Sequence, residues 1–100
     1  MWFNFKNLLM TDIEDVISGE KTRVGGHMLS KDPVEVYFRE SRINKMTKFY
    51  CVTFRTDDAN DPKLHFMEQD KAEAFYKKLC DLVINPVNYI EIDVLAEGAV

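Results

Sequence analysis

The sequence predicts a single α+β domain spanning residues 1–100. Its parts are a mainly antiparallel sheet of three to five strands, an amphipathic helix over about residues 71–84 packed on one face, and a further N-terminal helix. Three observations predict this. Ala72, Phe75, Tyr76, Leu79, Leu82 and Val83 recur at three- and four-residue steps between Asp70 and Pro86, with Lys71, Glu73, Lys77, Lys78 and Asp81 largely on the other side. Segments before and after this stripe alternate apolar and polar residues or are dense in β-branched and aromatic ones, so a sheet face is the natural partner for the helix. A chain of 100 residues, 46% hydrophobic with 4 Gly and 3 Pro, can bury one core but not two.

The residues before Thr11 read two ways. Trp2, Phe3 and Phe5 suit a strand, whereas Phe5, Leu8, Leu9, Ile13, Val16 and Ile17 fit a helical stripe. The helix itself is placed over Asp12 to Ser18, with Thr11 and Glu14 at capping-box spacing and Gly19 to close it. Thr22, Arg23 and Val24 offer a short strand before Gly25 and Gly26, which mark a sharp turn or bulge. After Asp32 and Pro33, Val34, Val36 and Phe38 alternate with Glu35, Tyr37 and Arg39 as a strand. A denser strand over Lys48 to Thr56 suits a central position covered on both faces, and a charged connection around Ser41 and Asn44 joins the two. Asp57, Asp58, Asn60, Asp61 and Pro62 form a turn composition, because such side chains bond their own backbone. Leu64 and Phe66 supply a short strand before the main helix. Asp70 with Glu73 predicts the start of that helix as a reciprocal cap. Beyond Asn85 and Pro86, Ile90, Ile92 and Val94 alternate with Glu91 and Asp93 in a last strand. The run from Glu68 to Leu79, with Ala72 and Ala74 before Phe75, resembles the helix that follows a β-meander in many small bacterial and phage proteins.

Chemistry-bearing residues are sparse. His27, His65, Cys51 and Cys80 show no paired ligand spacing such as C-x-x-C or H-x-x-x-H, and no metal or cofactor is expected. The acidic turn lacks the glycine and the bidentate glutamate of an EF-hand loop. Gly25 and Gly26 belong to neither phosphate-binding glycine pattern. His65 alternates with Leu64 and Phe66, which directs it to solvent, while both cysteines are expected reduced and buried. A Cys–His nucleophile is a third-rank reading, and the chain is taken as no enzyme.

Net charge of −4 disfavours general attraction to nucleic acid or anionic lipid. The exception is local: Arg39, Arg42, Lys45 and Lys48 against Glu40 give +3 over residues 39–48. No window approaches the length of apolar chain that spans a membrane, and Asn4, Lys6 and Asn7 interrupt any leader-like apolar run, so a cytoplasmic location is expected. Two surfaces remain as candidates for contact. One is the apolar start with Trp2, Phe3 and Phe5, whose residue types are enriched at interface centres. The other is the basic segment Arg39, Arg42, Lys45 and Lys48. The reading is a non-catalytic protein-binding domain, such as an accessory, immunity or inhibitor protein of bacterial or phage origin, with a protein partner or a second copy. The alternative is a nucleic-acid-binding module that uses the basic segment.

Overall fold

The structure, a computed structural model, describes residues 2–9, 13, 18, 24–30, 34–43, 45–56 and 62–100. Among these residues the elements run β1 (Trp2–Leu9), β2 (Val24–Leu29), β3 (Glu35–Ile43), β4 (Thr47–Arg55), β5 (Lys63–Phe66), α1 (Gln69–Ile84) and β6 (Tyr89–Asp93). The expected α+β composition is present, but the strands form two three-stranded sheets, ordered β2-β1-β6 and β3-β4-β5. Pairing is antiparallel except between β1 and β6, which run parallel. The helix expected over residues 12–18 falls mostly outside the described residues.

The β3-β4-β5 sheet is a meander. Ile43 pairs with Thr47 across a tight turn in which the Met46 N–H donates to the Ile43 carbonyl at 3.2 Å and Lys45 takes a left-handed φ of 63°. Residues 40–43, expected as part of the charged connection, therefore belong to the strand. Pairing on both sides makes β4 central, and its burial is two-sided as its composition predicts: Val52 and Phe54 are enclosed on one face, Phe49, Cys51 and Thr53 on the other. The first face meets the main core, and the second meets a smaller cluster with Ile13 and Ile43.

Helix α1 lies against the main-core face of this sheet. Ala72, Phe75 and Leu79 are its buried residues, with the Phe75 ring 5.7 Å from Phe66 and Tyr76 6.3 Å from Phe38. Its start corrects the expected cap. The N-cap is Glu68, which makes no side-chain capping bond; Glu68 instead pairs with Lys71 at 2.7 Å, and Gln69 donates to Glu73 at 3.0 Å. Asp70 sits inside the first turn, where a carboxylate faces the positive end of the helix dipole. At the other end the Asn85 N–H donates to Asp81, and Pro86 prevents continuation. Leu82 is partly buried and Val83 exposed, so the apolar stripe is wider than the face that packs.

The two sheets meet through three phenylalanines. Phe54 of β4 places its ring edge-on to Phe3 at 4.5 Å and to Phe5 at 6.0 Å, and all three rings are essentially inaccessible. Strand β1 is not regular. Phe5 pairs with His27 and Leu8 with Gly25, so Lys6 and Asn7 stand opposite Gly26 alone, and Asn7 adopts φ of 58°. That is a β-bulge. The glycine pair thus lies inside β2, and the irregularity it suggested is carried by the facing strand. Asn7 donates to the Asp93 carboxylate at 3.0 Å, and the Leu95 and Ala96 N–H groups also donate to it. The bulge is thereby tied to the end of β6. The chain then turns through Gly98, at φ of 92°, and Val100 donates to the His65 carbonyl of β5.

Two outcomes follow for stability. Leu79→Ala should cost about 2–5 kcal/mol as a buried large-to-small change, whereas Lys77→Ala, on the exposed side of the helix, should cost under about 0.5 kcal/mol as a surface change; denaturant melts of the two variants separate them. The Asn7 hydrogen bond, with the Ala96 and Leu95 amides, holds the Asp93 carboxyl below the usual carboxylate range against the opposing effect of burial. A carboxyl depressed in the fold stabilises above its unfolded pKa of about 3.9 and loses that contribution as pH falls through the lower folded value. An NMR titration of Asp93 should therefore give a midpoint below that of an unfolded aspartate. Asn7→Gly, which tolerates the left-handed backbone, should raise it.

Candidate protein-binding face

Alternation along β1 sends Phe3 and Phe5 into the core and Trp2, Asn4 and Lys6 to the outer face of the β2-β1-β6 sheet. The parallel register sets Trp2 opposite Tyr89 and Asn4 opposite Glu91, while Asn4 stands opposite Met28 on the other side. Trp2, Tyr89 and Met28 are 50%, 51% and 55% exposed. Three large side chains thus share one sheet face, contributed by three strands that only the tertiary fold brings together. The Trp2 N–H donates to the Asn88 carbonyl at 2.9 Å, which anchors the start of β1 beside β6.

The polar groups of this face are already organised. Asn4 Nδ2 donates to the Tyr89 hydroxyl at 3.2 Å, fixing the phenol ring, and Lys6 Nζ pairs with Glu91 Oε1 at 3.0 Å. The Glu91 hydrogen bond and charge raise the Lys6 pKa, so the ammonium stays charged across the physiological range. Apolar anchors beside a satisfied polar pair form the composition of an interface centre with its rim. Of the three N-terminal residues singled out from sequence, only Trp2 is available to a partner. Tyr89 and Met28 were missed. Tyr89 precedes the alternating run that revealed the last strand, and Met28 follows a glycine pair that reads as a turn.

The basic segment is dispersed by the hairpin that contains it. Arg42 and Lys48 are directly opposite on one face, and Glu40 lies 3.8 Å from Arg42 Nε and 3.7 Å from Lys48 Nζ. Arg39 points to the other face, opposite Cys51, and Lys45 occupies the turn. Four cations close in sequence therefore do not converge on one surface.

His65 stands opposite Cys51 across β4 and β5, and its ring is 5.8 Å from Phe49. It is half-buried on the second-cluster face rather than directed to solvent. Cys51 is 3% exposed, with its sulfur 3.7 Å from Thr53 Oγ1. Cys80, expected buried, is half-buried on α1. His27 lies on β2 opposite Phe5. No group of three or more His, Cys, Asp or Glu able to hold a metal occurs among the described residues; the acidic turn at residues 57–61 lies outside them. No helix among the described residues is long and apolar enough to cross a membrane. No family model, curated protein or solved structure matches this chain.

Trp2 is the single tryptophan, so its environment can be read directly. Its emission should be red-shifted and accessible to acrylamide in the folded protein. A blue-shifted, protected emission would mean that the indole is covered.

Proposed function

We propose that this chain is a non-catalytic protein-binding domain, an accessory or inhibitor protein of the cytoplasm, which seats its partner on the outer face of the β2-β1-β6 sheet. The observation that carries the reading is the row of Trp2, Tyr89 and Met28 on a face no other described element covers. Large aromatic and thioether side chains in solvent lose hydration cost when a partner encloses them, and Trp and Tyr dominate binding hot spots. The partner is a protein with an apolar recess for the indole, bordered by polar groups that match the Tyr89 hydroxyl and the Lys6–Glu91 pair. Two considerations favour binding over catalysis. Cys51, the cysteine beside a histidine, is enclosed where a substrate has no approach. The fixed polar pairs are bonded to each other rather than aimed into a cleft. Free thiols at Cys51 and Cys80 suit a reducing compartment.

The test uses the full chain as bait in a lysate of its source, followed by calorimetry on the purified companion. Trp2→Ala should leave the melting temperature nearly unchanged and weaken the complex by about thirtyfold or more, the scale of a hot-spot residue. Met46→Ala, 90% exposed on the hairpin turn, should leave affinity intact. A companion held equally by Trp2→Ala, or one that proves to be nucleic acid, would overturn the proposal.

A further inference from the structure

Each sheet has two edges, and three of the four are short or interrupted. Strand β2 carries Gly25 and Gly26, β6 has five residues, and β5 has four and accepts a hydrogen bond from Val100. Strand β3 differs. It is nine residues long, pairs with β4 on one side, and bonds to no described residue on the other. An open edge of this length is a template for another strand unless Lys, Pro or a bulge blunts it. Residues 34–38 contain none of these, and the β3–β4 register is continuous from Glu35 to Ile43.

Beside the edge runs an apolar groove of about 290 Å³, lined by Val34, Glu35, Val36, Cys80, Val83 and Ile84. Val34 and Ile84 are 54% and 73% exposed, a large apolar exposure for residues so close to an unpaired backbone. The sequence of the edge states what fits there. Around Tyr37 the order is Glu35, Val36, Tyr37, Phe38, Arg39, which is reversed in charge and matched in apolar character about its centre. Two copies of β3 placed antiparallel about a two-fold axis at Tyr37 put each Glu35 opposite the other copy's Arg39, and each Val36 opposite Phe38. Such directly opposed pairs stabilise antiparallel strands, and like charges in the same places destabilise them. Arg39 makes no ion pair among the described residues, so its charge is available, and Glu35, which already accepts from Arg55 Nη1 at 2.9 Å, would share its carboxylate between Arg55 and the other copy's Arg39; centring the axis on Arg39 itself would oppose two guanidinium groups.

We propose that this protein forms a symmetric homodimer by antiparallel pairing of its β3 strands about Tyr37, which joins the two β3-β4-β5 sheets into one six-stranded sheet and covers the Val34, Val83 and Ile84 groove. The same side of β3 carries the helix in both copies, so the α1 C-terminal halves flank the joint and supply the apolar area that a strand pair alone lacks. The proposal goes beyond the partner face at Trp2, which lies on the other sheet, and the two fail separately.

Sedimentation equilibrium over roughly 1 μM to 1 mM should show a reversible dimer, and Arg39→Glu should weaken it about tenfold or more. Glu35→Arg with Arg39→Glu and Arg55→Glu should recover much of the loss, because the opposed charges are exchanged rather than removed and position 35 keeps an opposite charge across from it in β4. Trp2→Ala should leave dimerisation unchanged. In a Cys80→Ala background, mild oxidation should cross-link Tyr37→Cys across the axis and leave Ser41→Cys uncross-linked, with circular dichroism confirming that each variant is folded. A monomer throughout with no Tyr37→Cys cross-link would overturn the proposal, as would a dimer indifferent to Arg39→Glu.

Discussion

The contact on which the rest of the structure depends is the seating of Phe54 against Phe3 and Phe5. The three rings are contributed by β4 and β1, the central strands of the two sheets, and their centroids lie 4.5–6.0 Å apart in the edge-on and stacked arrangements that aromatic quadrupoles favour. Without that joint neither sheet has a complete reason to form. The β3-β4-β5 meander would keep the helix on its main-core face but expose Phe54. The β2-β1-β6 sheet would lose the surface against which Phe3, Phe5 and Ile92 are buried. A three-stranded sheet needs a packed face to persist in water, and here each sheet supplies part of the other's.

The same joint determines what is presented outside. Because Phe3 and Phe5 are committed inward, the pleat commits Trp2, Asn4 and Lys6 outward. The parallel return of β6 then sets Tyr89 and Glu91 beside them. The bulge at Lys6 and Asn7 and its bonds to Asp93 hold that register, since a slip by one residue would exchange the two faces. The face proposed for a partner is in this sense the reverse side of the core. The β3 edge stands at a distance in the topology, on the opposite sheet, so one molecule can carry both contacts.

What was legible in the sequence was what depends on local pattern. The α1 stripe, its stop at Pro86, the two-sided burial of β4 and the last strand all follow from periodicity and composition. The first strand was ambiguous for a physical reason. Its bulge inserts one residue between Phe5 and Leu8, so the inward positions fall at 3, 5 and 8, and the step from Phe5 to Leu8 and Leu9 imitates a helix. Gly25 and Gly26 hid β2 in a similar way, since glycine reads as a turn when no partner strand is known. The division into two sheets and the parallel pairing of β1 with β6 join residues more than eighty positions apart, and no local signal carries that. For the site, alternation separates Trp2 from Phe3 and Phe5 once β1 is read as a strand. Alternation through residues 39–42 likewise sends Arg39 and Arg42 to opposite faces once the hairpin extends that far.

That the two sheets are one cooperative unit joined at Phe54 is tested most directly by native-state amide hydrogen exchange. The slowest amides of β1 and of β4 should exchange with the same opening free energy and the same denaturant dependence, and Phe54→Leu should lower both together. If the β1 amides open at a distinctly lower free energy than those of β4, and Phe54→Leu moves only one set, the sheets are separate units and the aromatic joint does not hold the fold together.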